Sequence, residues 1–160
     1  MKNVLLIIIA LVSFSSFSQS VKSIKVLQKM IVNQSSDYDT TQPITFRSDG
    51  SWMFIEDFKM IFEYYDFDII TEEKAKEISS SNSKEFNSVY EFIIQGNTRL
   101  DIGICGGEVP SAIYVKVVDL KNKDKLVATF SFSQGIFDGK CTRNVAEAVV
   151  LKLKEISQTK

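Results

Sequence analysis

Ser48-Asp-Gly-Ser-Trp-Met-Phe-Ile-Glu-Asp-Phe-Lys-Met-Ile-Phe-Glu-Tyr-Tyr65 is the stretch on which the fold class turns. Asp49-Gly50 can form a tight turn between two strands, Ile44 to Arg47 and Trp52 to Ile55. Ser51 can equally cap a helix. The apolar positions Phe54, Ile55, Phe58, Ile61, Phe62 and Tyr65 recur in steps of three and four, while Glu56, Asp57, Lys59 and Glu63 fall mainly on the other side. That is the period of a helix face. A helix over 52–65 is therefore expected, and with it a mixed α+β domain.

Working outward from this helix, Asp66-Phe-Asp-Ile-Ile70 reads as a short buried strand. Thr71 then caps a second helix whose first turn carries Glu72 and Glu73, placed favourably for the helix dipole. Ser79-Ser-Ser-Asn-Ser83 ends it in a loop. Val89 to Gln95 is a continuous apolar run, and Leu100, Ile102 and Ile104 alternate with polar or small residues. Ala112 to Leu120 and Leu126 to Ser133 flank Lys121-Asn-Lys-Asp-Lys125 as the arms of a hairpin flank its turn. The chain closes in a helix over 144–156, with Asn144 and Glu147 at capping-box spacing and Ala146, Val149, Val150, Leu153 and Ile156 as its apolar stripe. Toward the other end, Ser23 to Val32 reads as an opening strand, and Asn33 to Gln42 as a polar, exposed turn. The expected order is β-α-β-α-β-β-β-β-α, a single domain with two to three helices packed on a mixed or antiparallel sheet.

The first residues are of another kind. Lys2 precedes an unbroken apolar run from Val4 to Val12, and small residues follow, with Ser16 and Ser18 at −3 and −1 of a cut before Gln19. This is the pattern of a secretory signal peptide over 1–18, and the run is shorter than the roughly 20 residues a spanning helix needs. No cysteine for lipid attachment follows the run. The expectation is a periplasmic or extracellular chain of residues 19–160, soluble and without stable membrane insertion. That length, about 142 residues, suits one core.

Composition works by exclusion. The sequence holds no histidine, which removes His-dependent triads, His general bases and His-ligated metal sites. Formal net charge is −1, and the one basic cluster, Lys121 to Lys125, is interrupted by Asp124, so nothing marks a nucleic-acid surface. Gly135-Ile-Phe-Asp-Gly-Lys-Cys-Thr142 lies where a phosphate loop would lie, but it has three residues between its glycines and Cys141 after the lysine. Gly103 to Pro110 is glycine-rich without a dinucleotide fingerprint and reads as an inter-strand loop. The acidic pairs Asp37/Asp39, Asp66/Asp68 and Glu72/Glu73 read as solvated acids or helix caps, since neither glycosidase nor EF-hand spacing is present. Trp52 reads as core. No catalytic, cofactor-binding or metal-ligating residue is expected.

Cys105 and Cys141 are the only cysteines, and an even count in an exported chain points to a disulfide between them. Lys140, Arg143 and a helix amino-terminus would favour a thiolate at Cys141, but no C-x-x-C motif or histidine partner accompanies it.

Three phrases, Phe67-Asp-Ile-Ile70-Thr71-Glu-Glu, Ile113-Tyr-Val-Lys-Val-Val-Asp-Leu120 and Lys125-Leu-Val-Ala-Thr-Phe130, follow one another as in small bacterial envelope domains. The layout resembles the amino-terminal domain of the Tol-system propeller protein and the periplasmic domain of the curli-secretion lipoprotein. The resemblance implies an envelope-associated, non-catalytic role in which the chain binds another macromolecule, an envelope protein in the first instance. A small carboxylate- or Ser-dependent hydrolase and a small-ligand-binding protein are the alternatives.

Overall fold

A computed structural model describes residues 23–34, 38–49, 52–81, 84–101, 105, 107–135 and 140–158. The expected signal peptide and its cut before Gln19 lie outside the described residues. The fold is α+β, with helices packed on one mixed sheet of five strands. Its elements are α1 (residues 23–29), β1 (Ile31–Gln34), β2 (Ile44–Ser48), α2 (Trp52–Tyr64), α3 (Glu72–Ser80), β3 (Tyr90–Asp101), β4 (Gly107–Asp119), β5 (Lys125–Ser133) and α4 (Thr142–Gln158). Spatial order is β1-β5-β4-β3-β2. All neighbours are antiparallel except β2 and β3, which run parallel.

Strand alternation decides which face is buried. Phe46, Phe92, Ile94, Val115, Val117, Phe130 and Phe132 point to one face, where Phe54, Phe58 and Phe62 of α2 and Val145, Val149 and Leu153 of α4 close over them. The helix reading of 52–65 is thus correct. Gly96 of β3 has a specific part in this packing. A Cβ there would sit 2.7 Å from the Phe54 ring and 2.8 Å from the Ala112 carbonyl oxygen. The backbone oxygen cannot rotate away, so Gly96→Ala is expected to cost about 1–3 kcal/mol by overpacking. Urea denaturation checks this; an unchanged midpoint would mean that α2 slides freely on the sheet.

Several expectations are corrected. Residues 23–29 form a helix, not a strand, because Ser23, Val26 and Met30 are buried at three- and four-residue steps while Ile24 between them is 44% exposed. Only Ile31–Gln34 is extended. Tyr38, in the stretch expected to be exposed, is buried against Tyr90 and Phe92. Burial raises its phenol well above the usual range, and its hydroxyl has no hydrogen-bond partner among the described residues.

Asp66-Phe-Asp-Ile-Ile70 forms a single bridge in place of a strand. Asp66 takes a left-handed φ of 64°, which turns the chain so that Phe67 enters the aromatic cluster. Ile44 then binds the segment on both sides, donating to Asp68 O at 2.8 Å and accepting from Ile70 N at 2.9 Å. The apolar run 89–95 and the alternating residues beyond it merge into one strand, β3; Ile102 and Ile104 lie outside the described residues. Gly107 to Pro110, expected in a loop, already belongs to β4. Pro110 is tolerated there because the β3–β4 register shifts beside it, between Asn97 and Thr98.

The caps divide in the same way. Thr71 caps α3 as expected, its side chain accepting from Lys74 N at 3.2 Å. The capping pair of α4 lies one turn earlier than expected. Asn144 Oδ1 reaches back to Cys141 N at 3.1 Å, and Cys141 O accepts from Asn144 N at 3.0 Å. Glu147 is thereby released for another use: it accepts from Tyr65 Oη at 2.8 Å and from Ser23 Oγ, joining α1, α2 and α4. Burial first, and then this bond, push the Tyr65 phenol up to about 12.

Candidate functional site

Among the described residues, the opposite face of the sheet is only partly covered. α3 packs against β2 and the 3-10 turn Leu120–Asn122, leaving the other end of the face open. The register places Ile31, Ser131, Tyr114 and Gln95 in one row across four strands, with Ala112 opposite Ser133 in the next row. Three inter-strand spacings make this row about 14 Å long. The rows line an open trough of about 470 Å³ whose rim includes Asp49, Asn97 and Lys29. Ile31 is 65% and Tyr114 40% exposed. Gln95 Nε2 donates to Asp49 Oδ2 at 3.0 Å.

A second recess of about 400 Å³ lies between α3 and the same sheet face, lined by Arg47, Glu72, Lys76, Glu91 and Asp124. Burial raises the Glu91 carboxyl above its ordinary range, and Arg47, 3.5 Å away, pulls it back. Glu72 is paired with Lys76 at 2.6 Å. Of the acids singled out in the sequence, Glu72 lines this recess together with Glu91 and Asp124. Glu73 is fully exposed, held low by its own backbone and by Thr71 in the first turn of α3. Asp39 accepts from Thr41 N at 3.0 Å in a local turn, and Asp37 lies outside the described residues. Among the described residues, no group of three or more His, Cys, Asp or Glu is placed to hold a metal.

The sheet has two edges of different character. At β2 the segment Asp68–Ile70 binds Ile44, the first residue of the strand, on its outer side. At β1 one side pairs with β5, and among the described residues no strand pairs with the other. The β1 sequence Ile-Val-Asn-Gln contains no proline or lysine, the residues that usually protect such an edge.

Cys105 and Cys141 are joined, with Cα atoms 5.6 Å apart, as expected from their number. They link the tip of the β3–β4 hairpin to the start of α4. Gln134 reinforces the join: its Nε2 donates to Lys140 O at 2.8 Å and to Pro110 O, and its Oε1 accepts from Lys140 N at 2.9 Å. Residues 136–139 of the glycine-bearing loop, Gly103 and the side chain of Trp52 lie outside what is described. No described helix is long and apolar enough to cross a membrane. Sequence reasoning missed the trough altogether. Tyr114 and Gln95 sit in strands read only for their apolar partners, and the alternation of Tyr114 and Lys116 with Ile113, Val115 and Val117 was the available signal.

No family model and no curated protein matches the chain. Among solved structures it is similar to the PelC dodecamer from Paraburkholderia phytofirmans, at 14% identity and a TM-score of 0.48, over 81% of this chain and 97% of that one. A second crystal form of that dodecamer, carrying a single substitution, gives 14% identity and a TM-score of 0.47 over 82% and 99% of the two chains.

Proposed function

We propose that this is an exported, non-catalytic protein of the cell envelope that works by binding an envelope protein through the β1 edge. The observation that carries the reading is the β1 edge: among the described residues no strand pairs with its outer side, next to the 65%-exposed Ile31, whereas on β2 the first residue, Ile44, is already bound by Asp68 and Ile70. An extended segment of a partner can add to such an edge, with main-chain bonds giving affinity and Ile31 giving register. The signal-peptide pattern of residues 1–18 and the disulfide support an oxidising, exported setting. The resemblance to envelope domains supports the same compartment.

The hydrolase reading draws on Glu91, a carboxylate raised by burial beside other acids. Its recess is occupied by the ion pairs of Arg47 and Lys76, which hold the carboxylates in salt bridges and away from an incoming bond, and this favours binding over catalysis.

The test places a photo-crosslinking residue at position 31 of the full chain in its native host. An envelope protein should be captured by a chain beginning near Gln19, and Asn33→Lys in the same background should reduce capture about tenfold. Both positions are exposed, so stability should change by no more than about 0.5 kcal/mol. Equal capture from position 64 on α2 would defeat the edge reading. Turnover of an envelope peptide or polysaccharide that is lost in Glu91→Gln would replace it with the hydrolase.

A further inference from the structure

The trough lies on the sheet face and not at its edge, and that position limits what it can bind. Its floor is the centre of the sheet, where the backbone groups of β4 are already taken by β3 on one side and β5 on the other. A peptide strand finds no main-chain partner there, so recognition must come from side chains. These are of a consistent kind. Tyr114 is 40% exposed in the trough, and with it stand Gln95, Asn97, Ser131 and Ser133, all amides or hydroxyls that both donate and accept. Charge is sparse and balanced, with one lysine and one aspartate at the rim. Phosphate-bearing ligands, which need clustered cations, are poorly matched.

We infer that the trough is a binding site for a neutral carbohydrate chain. A pyranose ring has an apolar face of C–H groups, which stacks on an aromatic ring, and an equatorial rim of hydroxyls, each a donor and an acceptor. Tyr114 supplies the platform at the middle of the row, and Ser131 and Gln95 flank it on the adjoining strands in register. Gln95 is already oriented by Asp49, which lowers the entropy lost when its Oε1 accepts from a sugar hydroxyl. The 14 Å length of the row, about three strand spacings, lets a short run of rings lie across the strands.

The trough shares Ile31 with the β1 edge, but the two readings fail separately: protein capture from position 31, reduced by Asn33→Lys, tests the edge, and glycan shifts at Tyr114 and Gln95 test the trough. The probes are chitohexaose, cellohexaose and xylohexaose at up to millimolar concentration, added to the oxidised protein and followed by backbone NMR shifts. A saturable shift centred on Tyr114, Gln95 and Ser131 is expected for at least one of the three. Affinity should be insensitive to salt, because no charge is neutralised. Tyr114→Ala should weaken binding by about tenfold or more, and Gln95→Ala by a smaller factor. Tyr64→Ala, which removes a 78%-exposed tyrosine from α2, should leave binding unchanged. Thermal melts of the three variants verify folding. The inference is overturned if none of the hexasaccharides shifts the trough residues, if binding survives Tyr114→Ala and Gln95→Ala together, or if only a peptide binds there.

Discussion

Replacing Cys105 and Cys141 together by serine should lower the melting temperature by about 12 °C, one of the two largest effects expected for this protein. The bond spans 36 positions. In the chain-entropy model, closing a loop of that size removes about 4 kcal/mol of conformational freedom from the unfolded chain. For a domain of this length, each kcal/mol moves the midpoint by about 3 °C. The folded state should survive the substitution with its geometry intact, because Gln134 independently joins Pro110 and Lys140, the residues that bring the two cysteines together. The loss is therefore expected mainly in the unfolding equilibrium. Calorimetry of the double variant, and of the native protein with and without reductant, measures it. A shift of only a degree or two would show that the unfolded chain already keeps these segments close.

Phe62→Ala should destabilise the fold by about 4 kcal/mol, the figure typical of a fully buried phenylalanine truncated to alanine. Phe62 has no exposed surface, and its ring meets those of Phe67 at 4.9 Å, Phe92 at 5.1 Å, Phe46 at 5.2 Å and Phe58 at 6.1 Å. It therefore touches α2, the left-handed turn after it, and both strands of the parallel pair. The space it leaves cannot close without moving two elements at once, so little of the loss is recovered by relaxation. Phe62→Leu retains most of the volume and should cost less than half as much. Tyr64→Ala, two residues along the same helix but 78% exposed, should change stability by less than about 0.5 kcal/mol. Urea denaturation at a constant slope separates the three. Equal losses at Phe62 and Tyr64 would contradict the placement of the helix face.

The sequence by itself determined the elements whose signal is local and long. The 3.6-residue period of α2 and α4 persists for three turns or more, so it stood out over any competing pattern. The hairpin of β4 and β5 was legible because a polar turn with left-handed residues at Lys123 and Asp124 separates two β-branched runs. Thr71 capped its helix because the bond it makes reaches only three residues ahead. The disulfide followed from there being two cysteines and an exported pattern.

Tertiary structure alone decided the rest. Residues 23–29 satisfy both a strand and a helix pattern, since about two turns are too short for one period to exclude the other, and contact of Ser23 with Glu147 and Asn144 of α4 resolves it. The parallel pairing of β2 with β3 joins residues about 46 positions apart, and the binding of Ile44 by Asp68–Ile70 joins residues about 25 apart; no local propensity records either partnership. The open β1 edge and the trough exist only as consequences of those pairings. A strand becomes an edge, and a tyrosine becomes a platform, when neighbouring strands have taken every other place in the sheet.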